Sequence, residues 1–71
     1  MIFGASGCRA DVYLDNEPLG KTPRAHDVAL GPHLLRMVCG AHDVQLTIEV
    51  AERTAKYYTL HRNPDRILSA D

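Results

Sequence analysis

The clearest pattern in this chain is the segment of residues 43–50, which reads DVQLTIEV and alternates strictly between polar and apolar side chains. A period of two is typical of a β-strand with one buried face, because successive side chains of a strand point to opposite sides. A helix would spread the same apolar side chains around its cylinder. The segment therefore predicts a half-buried strand, whose apolar face consists of Val44, Leu46, Ile48 and Val50.

Weaker forms of this pattern flank the segment on both sides. Residues 10–15 alternate between apolar and polar, residues 33–39 are apolar at nearly every position, and residues 55–61 are rich in strand-forming residues. Turn signals built on Gly, Pro, Asn and Asp separate these runs at intervals of about 8 to 12 residues. This spacing predicts an all-β fold, a small β-sandwich of about five to seven strands in two sheets.

The length of 71 residues allows one domain. We expect residues 1–7 to be an N-terminal flank, residues 8–62 to be the sandwich, and residues 63–71 to be a C-terminal tail. In that tail, Asn63 and Pro64 suit a helix cap and a first helical position, so the tail is either one short helical turn or the start of a linker. The first residues lack the basic segment of a complete signal peptide, which favours a chain cut from a longer protein.

Composition excludes several classes of partner. Charged residues make up 24% of the chain and the formal net charge is -1, so no basic face for nucleic acid is expected. No apolar run approaches the roughly 20 residues that a membrane-spanning helix needs, so we expect no direct membrane insertion.

A set of turn and strand positions resembles the PEGA domain family over residues 6–60. The family has an extended strand with an Asp-containing turn, a Leu-Gly-x-Thr-Pro element, and a Gly-x-His strand followed by a further Gly. The matching residues are Ala10, Val12, Leu14, Asp15, Leu19, Gly20, Thr22, Pro23, Gly31, His33, Leu35, Met37 and Gly40. The chain departs from the family at residues 7–10, where only Ala10 of the naming motif is kept, and at Asn16, where Gly is usual.

The resemblance implies a compact sandwich, Ig-like or prealbumin-like, from a bacterial or archaeal protein. It also implies a non-catalytic module of an envelope-associated or signalling protein, located in the periplasm or at the cell surface. Its ligand would be a partner protein domain or a cell-envelope glycan; the alternative is a structural spacer with no ligand. An exposed aromatic patch on one sheet face would favour binding, and a uniformly polar surface would favour the spacer. The matched residues look structural, and we expect the His33 ring to hydrogen-bond a nearby backbone carbonyl.

Two cysteines, Cys8 and Cys39, share the parity of the inward-facing residues of their segments. A disulfide between them would close a loop of about 31 residues and stabilise the fold by roughly 3–4 kcal/mol. Small extracytoplasmic domains favour such a bond. The alternative is two separate buried thiols that act as small hydrophobic side chains.

Catalytic and metal chemistry find little support. The chain has four histidines, and none has ligand spacing to another donor. Acidic residues such as Asp11 and Asp15 share the exposed face of one strand, which is typical of a solvated surface. A catalytic cysteine needs an open electropositive cleft, and Cys8 and Cys39 are expected to face a thin core. We therefore predict no enzyme activity, no metal and no cofactor. The histidines are His26, His33, His42 and His61.

Exposed tyrosines are the candidates for a binding face. Tyr13 is expected to point outward, as is one of the pair Tyr57 and Tyr58. We chose Tyr13, Arg36, Lys56 and Tyr58 as the binding residues, the alternative being cross-strand packing that shields the sheet. Open edge strands can also pair with another copy, which predicts a weak homo-oligomer.

Overall fold

The computed structural model describes all 71 residues, and they form eight β-strands and no helix. Two four-stranded sheets hold the strands in the orders β4-β1-β7-β8, called sheet A, and β3-β2-β5-β6, called sheet B. The predicted all-β sandwich is confirmed, with one strand more than the expected range. The strands are β1 (Ile2–Ala5), β2 (Asp11–Leu14), β3 (Glu17–Lys21), β4 (Arg24–Ala25), β5 (Gly31–Cys39), β6 (His42–Val50), β7 (Tyr57–His61) and β8 (Arg66–Ala70).

Two tight hairpins set the register of sheet B. β5 and β6 pair antiparallel along their whole length, and Cys39 lies opposite His42 across a two-residue turn. Gly40 opens that turn with φ of 60°, as type II′ turns require. In the β2–β3 turn, both Asp15 and Asn16 have positive φ, at 52° and 68°. Type I′ turns require this geometry, and Asn tolerates it, so the turn forms without the usual glycine.

Sheet A contains both segments that were expected to be flanks. β1 lies parallel to β7, with Ile2 opposite Tyr57 and Ala5 opposite Leu60. β8 lies antiparallel to β7, so residues 66–70 are neither a helical turn nor a linker. The expectations for residues 1–7 and 63–71 were wrong because both strands are short and show no clear alternation. Their extended state is stabilised by pairing with β7 rather than by local preference.

The core lies between the two inner faces and takes side chains from both sheets. Phe3 of β1 and Tyr58 of β7 stack with ring centroids 6.3 Å apart. The core does not extend evenly along β6: Ile48 and Val50 are buried, whereas Leu46 remains 37% exposed. β6 is an edge strand, so its inner face is only partly covered. The buried apolar residues are Phe3, Ala10, Val12, Leu14, Leu35, Met37, Ile48, Val50, Tyr58 and Leu60.

A disulfide joins Cys8 to Cys39, whose Cα atoms are 6.6 Å apart. Cys8 lies on the crossover from β1 in sheet A to β2 in sheet B, and Cys39 ends β5. The bond therefore holds the crossover against the end of sheet B. Both residues are half-buried. At the same end of the molecule, His42 Nδ1 lies 2.6 Å from Asp65 Oδ1, which links the β5–β6 hairpin to the β7–β8 hairpin.

Candidate functional site

The outer face of sheet B is charged, and it carries two ion pairs. Arg36 donates from Nε and Nη2 to the two carboxylate oxygens of Asp43, at 2.9 and 2.6 Å. Lys21 Nζ lies 3.0 Å from Asp11 Oδ1. The hydrogen bonds between Arg36 and Asp43 raise the pKa of the guanidinium and lower that of the carboxylate. Four charged side chains of this face are therefore paired within the chain.

Tyr13 lies on this same face, under the Arg36 guanidinium, whose central carbon is 5.5 Å from the ring centroid. The two residues are cross-strand neighbours in the β2–β5 register. A cation over an aromatic ring is attracted to it and covers its surface. The structure thus brings together two of the four predicted binding residues, but Tyr13 presents only part of its ring to a ligand.

The other two predicted binding residues lie elsewhere. Lys56 precedes β7 and is exposed. Tyr58 is only 5% exposed, and burial raises the pKa of its hydroxyl. The choice of Tyr58 as a surface residue was wrong: it pairs with Phe3 on the inner face, and Tyr57 points outward. The sequence could have separated the two tyrosines, because residues two positions apart in a strand lie on the same face. Tyr58 is two positions before Leu60, a core residue, and Tyr57 is not.

The outer face of sheet A differs from that of sheet B because the first two of its three rows of outward side chains along β7 contain no charged residue. In the strand registers, Ile2 and Tyr57 lie side by side with an alanine on either side, and Thr59 lies beside Gly4 and Leu68 in the next row. Ile2, Tyr57 and Leu68 are 39%, 43% and 47% exposed. We call this surface the apolar face; it consists of Ile2, Gly4, Ala25, Tyr57, Thr59, Leu68 and Ala70.

The apolar face is bordered by polar residues. His61 and Arg66 form the next row along β7 and β8. Single exposed apolar residues are normal on proteins, whereas contiguous apolar patches with polar rims mark interaction sites. Tyr57 lies near the centre of the patch, and its ring offers a large contact area with few rotatable bonds. The geometry suits contact with another apolar surface.

His33 holds the start of β5 in place. Its Nε2 lies 2.7 Å from the Ala29 carbonyl oxygen, and its Nδ1 lies 2.5 Å from Asp15 Oδ2. Both partners accept hydrogen bonds, so both ring nitrogens donate, and this favours the imidazolium. The hydrogen bond to Asp15, and then that to Ala29, raise the pKa of His33. The Leu34 amide donates to the other Asp15 oxygen at 2.9 Å. The predicted contact of this ring with a backbone carbonyl is present.

Thr22 has a similar structural role at the start of β2. Its hydroxyl oxygen accepts a hydrogen bond from the Ala10 amide at 2.9 Å, and its own amide donates to the Ala10 carbonyl at 2.9 Å. Thr22 is 1% exposed, so these bonds lie in the interior.

Pro23 follows Thr22, and β3 ends before it. Gly20 and Gly31 adopt φ of 112° and 118°, which side chains rarely allow.

One cavity of about 210 Å³ opens at the end of the sandwich where β1 and β7 begin. It is smaller than the usual pocket for a small-molecule ligand, about 300–1,000 Å³. The Thr54 hydroxyl at the cavity wall accepts a hydrogen bond from the Ala51 amide and donates one to the Glu49 carbonyl. No group of three or more His, Cys, Asp or Glu side chains is arranged to hold a metal ion. The cavity is lined by Met1, Asp27, Val28, Val50, Ala51, Thr54, Ala55 and Lys56.

Comparison of the chain with protein-family models, with curated proteins and with solved structures finds no match in any of the three. The resemblance to the PEGA family therefore stays a prediction. The chain has no helix of the length and apolarity that crossing a membrane requires.

Proposed function

We propose that this chain is a non-catalytic interaction module that binds a partner protein through the apolar face of sheet A. The observation that carries the proposal is the contiguous, uncharged patch around Tyr57, with Ile2 beside it and Leu68 in the next row. Leaving such a patch in water costs free energy, at about 25 cal/mol per Å² of apolar surface. A partner that covers the patch recovers this free energy.

The composition of the apolar face favours a protein over a glycan. A sugar presents many hydroxyl groups, which need donors and acceptors beside the stacking ring. In the rows of Tyr57 and Thr59, the hydroxyls of these two residues are the side-chain groups able to supply them. Protein interfaces instead have aromatic and aliphatic centres with polar rims, and tyrosine is often a dominant contact. His61 and Arg66 supply such a rim.

The disulfide and the family resemblance both bear on the cellular location that we propose for this chain. The Cys8–Cys39 disulfide suits an oxidising compartment, because thiols are kept reduced in the cytosol. The resemblance to the PEGA family suggests a bacterial or archaeal envelope-associated or signalling protein. Together they support an extracytoplasmic domain, in the periplasm or at the cell surface, within a larger protein.

The alternative function is a structural spacer with no ligand. It is favoured by the number of cross-links for so small a fold: the disulfide and the His42–Asp65 contact at one end, and the contact of His33 with Asp15 and Ala29 at the other. These bonds would stiffen a domain that only has to hold its neighbours apart.

A peptide and glycan array separates the two functions. The purified chain is compared with Tyr57→Ser on the apolar face and with Tyr13→Ser on sheet B as the matched control. We expect apolar peptides to bind the wild type and Tyr13→Ser, and to lose binding to Tyr57→Ser. Binding to glycans alone, or equal loss in both variants, contradicts a protein-binding apolar face. No binding by the wild type favours the spacer.

A further inference from the structure

β6 is an edge strand whose protection against pairing is limited to the acidic residues Asp43 and Glu49 and to the Thr54 hydroxyl bonded at the Glu49 carbonyl. It runs for nine residues and contains no Pro, Gly or Lys, and its pairing with β5 has no bulge. The opposite edge of sheet B, β3, has a bulge in its pairing with β2 and contains both Pro18 and Gly20. Natural sheets use such features to prevent edge-to-edge association. The two edges of the same sheet are therefore not equivalent.

The direction of the backbone groups of β6 follows from the hydrogen bonds of β5. The Leu34 carbonyl accepts from the Asp15 amide, at the β2 side of β5. Since Leu34 lies opposite Thr47, the Thr47 backbone groups point away from β5, as do those of Gln45 and Asp43. Consistent with this, the Glu49 carbonyl accepts a hydrogen bond from the Thr54 hydroxyl, at 3.0 Å. The Glu49 carbonyl is thus already bonded within the chain, and the backbone groups of Asp43, Gln45 and Thr47 are the donors and acceptors that the edge offers to a further strand.

We propose that β6 pairs antiparallel with β6 of a second copy of this chain, about a two-fold axis at Thr47, so that the two copies of sheet B form one continuous sheet. This association uses the edge of sheet B, so it is independent of the apolar face. A two-fold contact requires a strand that is complementary to itself when reversed. Residues 44–50 meet this requirement.

The register about Thr47 places compatible side chains opposite each other on both faces. On the outer face, Thr47 meets Thr47, and Gln45 meets Glu49 of the second copy; these pairs can hydrogen-bond. On the inner face, apolar residues meet apolar residues, and the partly exposed Leu46 is covered. The inner pairs are Val44 with Val50 and Leu46 with Ile48.

Neighbouring registers are less favourable. An axis at Leu46 places Asp43 opposite Glu49 of the second copy, and like charges directly opposite destabilise a strand pair. An axis at Ile48 shortens the paired segment to residues 46–50. The axis at Thr47 avoids the pairing of Asp43 with Glu49 and keeps residues 44–50 paired, so we place the two-fold axis there.

A charge exchange at Thr47 tests this register. Thr47→Lys and Thr47→Glu each place like charges opposite one another, whereas an equal mixture of the two places opposite charges there. Sedimentation equilibrium of the full chain, from micromolar to millimolar concentration, should show a concentration-dependent dimer for the wild type. Each variant alone should dimerise about three- to tenfold more weakly, and the mixture should recover the wild-type dissociation constant. Circular dichroism confirms that each variant is folded.

Gln45→Lys is the matched control, because it adds the same charge to the same face of the same strand. In the proposed register it faces Glu49 of the second copy, so the dimer should be as tight as the wild type or tighter. A wild type that stays monomeric at millimolar concentration overturns the proposal. So does a dimer that is insensitive to Thr47→Lys, or one that is abolished by Tyr57→Ser on the apolar face.

Discussion

Both sheets have four strands, but their outer faces differ: that of sheet B is charged, and that of sheet A is largely apolar. On sheet B, Arg36 is bound to Asp43 and covers Tyr13, and Lys21 is paired with Asp11, so most charged groups around Tyr13 have a partner within the chain. On sheet A, Ile2 lies beside Tyr57, Leu68 lies diagonally from Tyr57 in the next row, and no charged residue lies among them. A polar face whose groups are already paired gains little from a partner, whereas an exposed apolar face gains by being covered.

This difference changes how much of each exposed tyrosine is available to a ligand. Tyr13 lies in a clearly alternating strand and is easily assigned to the surface. Its neighbours across the sheet then reduce its availability. Tyr57 has no such neighbours, since Ile2 and Ala70 flank it. The value of a surface aromatic residue for binding therefore depends on the adjacent strands.

The largest expected effect tests which side of β7 is outside. Tyr58→Ala removes a ring that stacks on Phe3 in the core, and we expect it to reduce the free energy of unfolding by about 3–5 kcal/mol. Tyr57→Ala removes an exposed ring and should cost less than about 1 kcal/mol. Urea denaturation of the two variants measures the difference. Equal losses would mean that the apolar face is part of a packed interior and not an interaction surface.

The next largest effect tests how much the Cys8–Cys39 disulfide, which joins the crossover between the two sheets to the end of sheet B, stabilises the fold. Replacing Cys8 and Cys39 together by Ala opens a loop spanning 31 residues, which should lower the free energy of unfolding by about 3–4 kcal/mol. As a control, the stability of the wild type is measured before and after reduction. The thiols in each sample are then alkylated, and the intact mass counts the alkyl groups added. Two alkyl groups added without reduction would show that the thiols are free. Unchanged stability on reduction would assign the rigidity of the fold to packing alone.

The sequence predicts the strands whose two faces have different surroundings. Residues 43–50 alternate because β6 packs against the core on one side and faces solvent on the other, and Ile48 and Val50 are buried as expected. Alternation cannot show how far a partner strand covers an edge, so the exposure of Leu46 was not predicted. The parity that placed Cys8 and Cys39 on the inner side agrees with their bond.

The same reasoning fails where strands are short and carry adjacent apolar residues. β1 is four residues long and β8 carries both Ile67 and Leu68, so neither shows a period. Both are strands because β7 pairs with them, which is a contact distant in sequence. The apolar face is assembled from these strands, so no local pattern in the sequence reveals it.

A smaller effect, in pH dependence, should appear in sheet B and not in the apolar face. The pKa of His33 is raised above its ordinary 6.5, so its contribution to stability is present below pH 6.5 and is lost as pH rises through the raised value. The pKa of Asp15 is lowered below 3.8, so its contribution is present above pH 3.8 and is lost as pH falls through the lowered value. The pair therefore stabilises the fold most between these two ordinary values.

The variant His33→Gln tests this pH dependence. Denaturation midpoints measured from acidic to alkaline pH should fall above pH 6.5 for the wild type, and the variant should show a flatter profile in that range. Amide exchange should quicken at Leu34, whose N–H donates to Asp15, and stay unchanged at Tyr57. A profile equally steep in His33→Gln would assign the titration to another group.

The smallest effect concerns dye binding to the two faces. Leu68→Lys places a charge in the apolar face and should reduce the fluorescence of a bound apolar dye such as anilinonaphthalene sulfonate. Arg36→Gln removes the guanidinium that covers Tyr13 and breaks the contact with Asp43, so it should increase dye binding slightly at sheet B. Dye binding falls in one variant and rises in the other because the side chains of the chain itself cover the face of sheet B and leave the apolar face exposed. Equal reductions in both variants would mean that the dye responds to charge alone, and the contrast between the faces would lose its support.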